Sequence, residues 1–144
     1  MAWEVEFTHE FARWWDALTA DEQADIAHYV KELEGRGPEL SFPYSSSIKG
    51  SRHGAMRELR VQSGGKPIRI FYAFDPTRTA ILLIGGKKGG NDRFYDQFID
   101  LADRLFDEHL AELNRERINA KHSTFFGTRG EDSGRGNDSR RRKK

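Results

Sequence analysis

The sequence predicts an α+β fold, with a small and mainly antiparallel sheet and helices packed on one of its faces. Three observations lead to this prediction. Apolar residues alternate with polar ones at the N-terminus and in the middle of the chain, which is typical of strands. Elsewhere they recur every three to four positions, as in amphipathic helices. The chain has 144 residues, which suits one well-buried core rather than two.

The first part of the chain predicts a strand followed by two helices. Trp3–Phe7 alternates apolar with acidic side chains and predicts the first strand. Thr8 is suited to cap a short helix with Phe11 and two tryptophans on its inner face. Thr19 and Glu22 have the spacing of a capping box, so a second helix should begin there. Glycine and proline in residues 35–38 end that helix.

The middle and the end of the domain predict three strands and a closing helix. Met56–Gln62 and Pro67–Phe74 are separated by hairpin spacing, so we expect an antiparallel pair. Thr79–Ile84 is a nearly continuous apolar run, as in a strand covered on both faces. A flexible loop over Gly85–Gly90 should follow. An apolar stripe then predicts a helix from about Asp92 to Leu113.

Two segments lack a regular apolar pattern. Residues 38–55 are rich in Pro, Ser and Gly and are interpreted as a connecting loop. From residue 114 the apolar pattern fades, and the chain ends in five basic residues. We therefore expect one folded domain over residues 1–113 and a disordered basic tail over residues 114–144.

Charge is unevenly distributed along the chain, although the net charge is only +1. Residues 1–44 contain 3 basic and 10 acidic residues, whereas residues 45–93 contain 10 basic and 3 acidic residues. A basic middle between acidic flanks indicates a face that binds an anion, such as the phosphates of a nucleic acid. Ordinary solvated lysines and arginines are the alternative interpretation.

Composition excludes several classes of protein. The chain has no cysteine, which excludes disulfides and thiolate metal sites. No apolar stretch reaches the length of a membrane span and no secretory signal is apparent, so we expect a cytoplasmic protein without a membrane partner. The glycines around Lys87 and Lys88 lack the spacing of a nucleotide-binding P-loop. We expect no metal and no cofactor.

Basic side chains of two predicted strands should emerge on one exposed sheet face. Arg60 and Arg69 meet there if their strands pair through the turn at residues 63–66. Lys88 follows the last strand, and Tyr95 lies one turn into the closing helix. Such a set suits RNA cleavage without a metal, in which the 2′-hydroxyl attacks the adjacent phosphate. Fixed guanidinium groups stabilise the dianionic transition state of that reaction.

The reaction also needs a general base, and the histidines are poorly distributed for it. His53 is the histidine of the basic segment, beside Lys49 and Arg52, and is kept as an alternative. We prefer a lysine or tyrosine whose pKa is depressed by neighbouring cations. Lys88 is the candidate base, while Tyr95 is expected to orient the attacking hydroxyl or to stack on a base.

Five short strings of the sequence together indicate a known family. They are Ile48–Arg52 (IKGSR), Glu58–Gln62 (ELRVQ), Arg69–Asp75 (RIFYAFD), Gly85–Lys88 (GGKK) and Arg93–Tyr95 (RFY). These strings resemble the phage-derived, HigB-like branch of the RelE/ParE toxins. The resemblance extends from about residue 3 to residue 113. It implies a RelE-like fold, a toxin that cleaves messenger RNA on the translating ribosome, and a helix-turn-helix, HigA-like antitoxin as partner.

The resemblance also implies site residues. By position, the catalytic set of the family corresponds to Arg60, Arg69, Lys88 and Tyr95. The expected RNA-binding residues are Lys49, Arg52, Lys87 and Arg93, of which Lys87 is accessory. Two alternatives use the same residues differently: a ParE-like toxin that binds DNA gyrase without cleaving RNA, and a nucleic-acid-binding protein without catalysis.

Overall fold

Five strands and three main helices follow one another along the chain. The computed structural model describes residues 2–90 and 93–126. The strands are β1 (Val5–Phe7), β2 (Ser45–Ser47), β3 (Arg57–Ser63), β4 (Lys66–Phe74) and β5 (Ala80–Lys87). The helices are α1 (His9–Asp16), α2 (Ala20–Arg36) and α3 (Phe94–Phe126), with a short 3-10 helix over Gly37–Glu39. The predicted α+β class is confirmed.

The strands form one sheet in the order β1, β5, β4, β3, β2. Neighbours from β2 to β5 are antiparallel, and β1 runs parallel to β5. The β3–β4 hairpin turns at Gly64 and Gly65, whose φ angles of 58° and 79° suit a two-residue hairpin loop. This loop fixes the register and sets Arg60 directly opposite Arg69, as the hairpin spacing predicts.

The two N-terminal helices begin at the predicted caps. The Thr8 side chain accepts a hydrogen bond from the Phe11 amide at 3.0 Å. The Thr19 hydroxyl accepts from the Glu22 amide at 3.1 Å, and the Glu22 carboxylate accepts from the Thr19 amide at 2.9 Å. These bonds satisfy amides that have no partner within the helix. The predicted helix cap and capping box are therefore confirmed.

Both faces of the sheet are buried, which contradicts the prediction that the helices pack on one face. One apolar cluster joins α1 and α2 to strand residues such as Leu59, Ile70 and Leu82. The other joins α3 to strand residues such as Phe71 and Leu83. Because successive side chains point to opposite faces, strands that are apolar at every position need cover on both sides. The helix α3 supplies the second cover.

Two segments interpreted as loops contain strand residues. Within residues 38–55, Ser45–Ser47 forms β2, which a run of three serines does not reveal. Gly85 and Gly86 belong to β5 rather than to a flexible loop. A Cβ atom at Gly86 would lie 2.6 Å from the Phe98 ring, and one at Gly85 would contact the Trp14 ring. Glycine is needed at both positions because aromatic rings pack directly on the strand backbone.

The helix α3 continues to Phe126, so its predicted end near Leu113 is wrong. Residues 114–120 are exposed and lack an apolar stripe, but Glu, Arg and Ala favour the helix without one. The prediction of disorder is therefore wrong for residues 114–126. The rest of the predicted tail, residues 127–144, lies outside the described residues, and the domain boundary at residue 113 stays a prediction.

Candidate active site

A buried carboxylate, Glu58, lies at the centre of a polar cluster on the α3 face of the sheet. Glu58 is 4% exposed. Its Oε1 accepts a hydrogen bond from the Tyr95 hydroxyl at 2.8 Å and lies 3.6 Å from Nε of Arg69. Its Oε2 accepts from the Ser46 hydroxyl at 2.8 Å and from Nη1 of Arg60 at 3.2 Å. We call these five residues the Glu58 cluster.

The two arginines of the cluster differ in how firmly they are held. Arg69 is 6% exposed, and it donates to the Ile68 carbonyl at 3.2 Å and to the Tyr95 hydroxyl at 3.3 Å. The side chain of Arg60 is 29% exposed, and its guanidinium carbon lies 5.0 Å from the centroid of the Phe42 ring. Arg69 is thus fixed within the protein, whereas Arg60 is accessible to a ligand.

The environment of Tyr95 argues against the alternative of a tyrosine base with a depressed pKa. Burial raises the pKa of Tyr95 above its ordinary value of 10.0, and its hydrogen bond to the Glu58 carboxylate raises it further. The neighbouring Arg69 opposes this change without cancelling it. Tyr95 is therefore a protonated hydrogen-bond donor at neutral pH, and it is unsuited to act as the base.

Lys88 completes the set of predicted catalytic residues. Its Nζ lies 5.9 Å from the centroid of the Tyr95 ring. Its backbone amide donates to the Pro67 carbonyl at 2.9 Å, which ties the residue after β5 to the start of β4. The structure therefore brings Arg60, Arg69, Lys88 and Tyr95 together at one end of α3. Their catalytic roles remain predictions.

The expected RNA-binding residues do not share this location. Lys87 pairs with Glu22 of α2 at 2.9 Å, on the other face of the sheet. Lys49 is exposed in the turn after β2 and makes none of the contacts described above for the Glu58 cluster. Arg93 is also exposed and directly precedes α3, two residues before Tyr95. Along the chain Lys87 is adjacent to Lys88 of the predicted catalytic set, but its ammonium group lies on the other face of the sheet.

Arg52 and His53 fasten the loop after β2 to the middle of α3. Arg52 forms ion pairs with Asp107 and, at 3.8 Å, with Asp103. Nε2 of His53 lies 2.8 Å from Asp107, and the His53 ring packs edge-on against Phe106 with centroids 4.8 Å apart. The hydrogen bond with His53 and the charge of Arg52 lower the pKa of Asp107. Neither Arg52 nor His53 contacts the Glu58 cluster in the described part of the chain.

Glu58 and Ser46 are the residues of the cluster that the sequence did not single out. Glu58 shares a strand face with Arg60, and a buried arginine such as Arg69 needs a counter-charge, so the sequence contained a signal for Glu58. Ser46 lies in the segment interpreted as a loop.

In residues 2–90 and 93–126, no group of three His, Asp or Glu side chains could hold a metal ion. No helix of these residues is long and apolar enough to span a bilayer.

Comparison with a solved structure identifies the fold. Toxin RelE of E. coli, solved as an arginine variant in the free state, superimposes with a TM-score of 0.50 over 65% of this chain and 92% of RelE. The two chains are 14% identical, so the similarity concerns the fold alone. The five-stranded sheet and its three helices are thus a RelE-like fold.

The chain belongs to the family of phage-derived Gp49-like proteins (DUF891), whose model matches residues 13–107. It is 43% identical over 100 residues to the putative toxin HigB3 of Mycobacterium tuberculosis, covering 69% of this chain and 86% of that protein. It is 37% identical over 115 residues to the putative toxin HigB2 of the same organism, covering 78% of this chain. The match spans only 57% of HigB2. The predicted HigB-like family is confirmed.

Proposed function

We propose that this protein is the toxin of a type II toxin-antitoxin system and that it cleaves messenger RNA without a metal. One observation carries the proposal. Two guanidinium groups from adjacent strands and a phenol each lie within 3.6 Å of the buried Glu58 carboxylate. Membership of the HigB-like family supports the assignment as a toxin, since two relatives are putative HigB toxins.

In this proposal the accessible Arg60 binds the scissile phosphate, and the buried Arg69 adds its positive charge to the site beside Glu58. Arg69 is held by two hydrogen bonds and Arg60 by Glu58, so their donors are oriented before the substrate arrives. Such preorganised donors need no rearrangement as negative charge develops on the phosphate oxygens. Each is worth about 10²- to 10³-fold in rate.

Glu58 is the proton acceptor in this proposal, a role that the sequence prediction gave to Lys88. The 2′-hydroxyl gives its proton to the Glu58 carboxylate as its oxygen bonds to phosphorus. The bond from phosphorus to the 5′-oxygen breaks, and the Lys88 ammonium protonates that oxygen as it leaves. Tyr95 donates to Glu58 and holds its carboxylate in position. The products are a 2′,3′-cyclic phosphate and a 5′-hydroxyl.

The proposal includes the cellular context that the family resemblance implies. The substrate is messenger RNA on the translating ribosome, so the protein acts in the cytoplasm. The partner that silences it is a HigA-like antitoxin with a helix-turn-helix domain. The names of the HigB relatives support a toxin with an antitoxin partner, and the identity of that partner is part of the proposal.

The test is induced expression of three proteins in cells, followed by mapping of transcript 5′ ends. These are the wild type, Arg60→Ala, and Arg104→Ala as a control at an exposed arginine of α3. The wild type and Arg104→Ala should arrest growth and produce new ends within translated regions. Arg60→Ala should produce at most about a hundredth of these ends. Growth arrest with intact transcripts in all three strains would overturn the proposal and favour a ParE-like action on gyrase.

A further inference from the structure

Phe42 is an exposed aromatic residue beside the Glu58 cluster. Its exposed fraction is 69%. Among the described residues, the other large apolar side chain that is exposed is Ile118, at 56%. Phe42 lies in the short segment between the 3-10 helix and β2. Among the described residues its ring is paired with no other aromatic ring, unlike Phe71 and Phe98, which are stacked 6.0 Å apart. Packing of the core therefore does not explain its position.

Arg60 connects this ring to the Glu58 cluster. The Arg60 guanidinium carbon lies 5.0 Å from the Phe42 centroid, while its Nη1 donates to Glu58 at 3.2 Å. The same guanidinium thus contacts both an aromatic ring and the group proposed as the base. A ligand phosphate on Arg60 would place its attached nucleoside next to Phe42.

We propose that Phe42 forms a subsite for an unpaired nucleobase of the RNA, which stacks on the open face of its ring. This subsite deepens the proposed function and rests on it. Exposed aromatic rings beside cations are the common means of binding single-stranded RNA, because every base has a flat apolar face. A paired base is already stacked within its helix, so the subsite selects single-stranded RNA.

The test compares two uncleavable oligonucleotides of equal length and charge. One is a fluorescent single-stranded 2′-O-methyl RNA, in which the attacking hydroxyl is blocked. The other has the same phosphate backbone with abasic residues and therefore cannot stack. Phe42→Ala should raise the Kd for the base-bearing strand about tenfold, equivalent to about 1.4 kcal/mol and within the range of base stacking. The Kd for the abasic strand should not change.

Two further variants separate stacking from other roles of Phe42. Phe42→Trp should bind the base-bearing strand at least as tightly as the wild type, because indole also stacks on bases. Ile118→Ala, at the other exposed apolar side chain, should bind both strands as the wild type does. Thermal melting of each variant should match the wild type, since neither side chain is buried.

Each remaining outcome overturns the subsite. Equal loss of affinity for both strands would mean that Phe42 acts by holding Arg60 against the phosphate. Unchanged affinity for both would mean that the ring does not contact the RNA. If the wild type binds neither strand, the subsite fails, and the mapping of transcript ends decides separately whether the proposed function holds. Binding of both strands by the wild type without an effect of Phe42→Ala overturns the subsite alone.

Discussion

Glu58→Gln is the substitution that most sharply separates a catalytic carboxylate from a structural one. Glutamine has nearly the same shape: its amide oxygen can still accept the hydrogen bond of Tyr95, and its amide nitrogen can donate one to the Ser46 hydroxyl. It removes the negative charge and the ability to take a proton. If Glu58 is the base, the cleavage rate should fall by about 10²- to 10⁴-fold, which corresponds to about 3 to 5 kcal/mol in the activation barrier.

The same substitution should also lower stability, and the structure gives the magnitude. Glu58 and Arg69 are 4% and 6% exposed, so the variant leaves Arg69 buried without its counter-charge. Removal of one partner from a buried ion pair costs about 3 to 5 kcal/mol. We expect about 3 kcal/mol, at the low end, because the amide preserves two hydrogen bonds. The shift in the urea midpoint measures this loss.

Binding should change in the opposite direction from cleavage. The Glu58 carboxylate repels the phosphate that Arg60 binds, so its removal should leave the Kd for uncleavable RNA unchanged or lower it. Cleavage and binding are measured on the same folded sample, well below the unfolding midpoint. Glu22→Gln is the matched control, since Glu22 also pairs with a cation, Lys87, but lies on the other face of the sheet.

Two results would refute this reasoning. If Glu58→Gln cleaves RNA within about tenfold of the wild type, then Glu58 is not the base. If binding and cleavage are lost to the same extent, the carboxylate only shapes the binding site. The control should behave as the wild type in both assays.

Three further predictions concern titration and packing. Because the pKa of Tyr95 is raised in the folded protein, its contribution to stability is complete below its unfolded pKa of about 10 and is lost as the pH rises through the folded pKa. Tyr95→Phe should therefore reduce the fall of the urea midpoint at alkaline pH. An unchanged pH profile of the urea midpoint would contradict this prediction. Burial opposes ionisation of Asp75, but hydrogen bonds, including one from His109 at 2.7 Å, outweigh it and lower the pKa of Asp75. The contribution of Asp75 to stability is therefore present above its ordinary pKa of 3.8 and is lost as the pH falls through the lowered pKa. The free energy of unfolding of Asp75→Asn should depend less on pH in acid. Equal slopes of this free energy against pH for the variant and the wild type would disprove the prediction. Gly86→Ala should lower the free energy of unfolding by about 1 to 3 kcal/mol, because the new Cβ would lie 2.6 Å from the Phe98 ring. An unchanged urea midpoint would show that the ring moves aside without loss of stability.

The part of the site that local geometry fixes could be predicted from the sequence. A two-residue turn sets the register of β3 on β4, so the opposition of Arg60 and Arg69 follows from hairpin spacing alone. The central position of Glu58 could not be derived in this way. Its partners Ser46 and Tyr95 are 12 and 37 residues away along the chain, and tertiary packing brings them to it.

Two of the errors in the predicted fold have the same cause, which is that tertiary contacts override the local sequence pattern. Three serines form β2 because β3 offers an edge with which they pair. Gly85 and Gly86 lie in β5 rather than in a loop, because the rings of Trp14 and Phe98 pack directly against their backbone. The position of α3 on the second face follows from strands that are apolar at every position, a pattern that the sequence contains for β5.

The most direct test of the account is the chemistry of the RNA ends produced in cells. RNA is isolated shortly after induction of the wild type and of Arg60→Ala, and cleavage products are sequenced with methods selective for each type of end. Attack by the 2′-hydroxyl predicts 2′,3′-cyclic phosphates upstream and 5′-hydroxyls downstream of each cut, both reduced to about a hundredth or less with Arg60→Ala. New ends that carry 3′-hydroxyls and 5′-phosphates would contradict the account, because they require water rather than the RNA itself as the nucleophile.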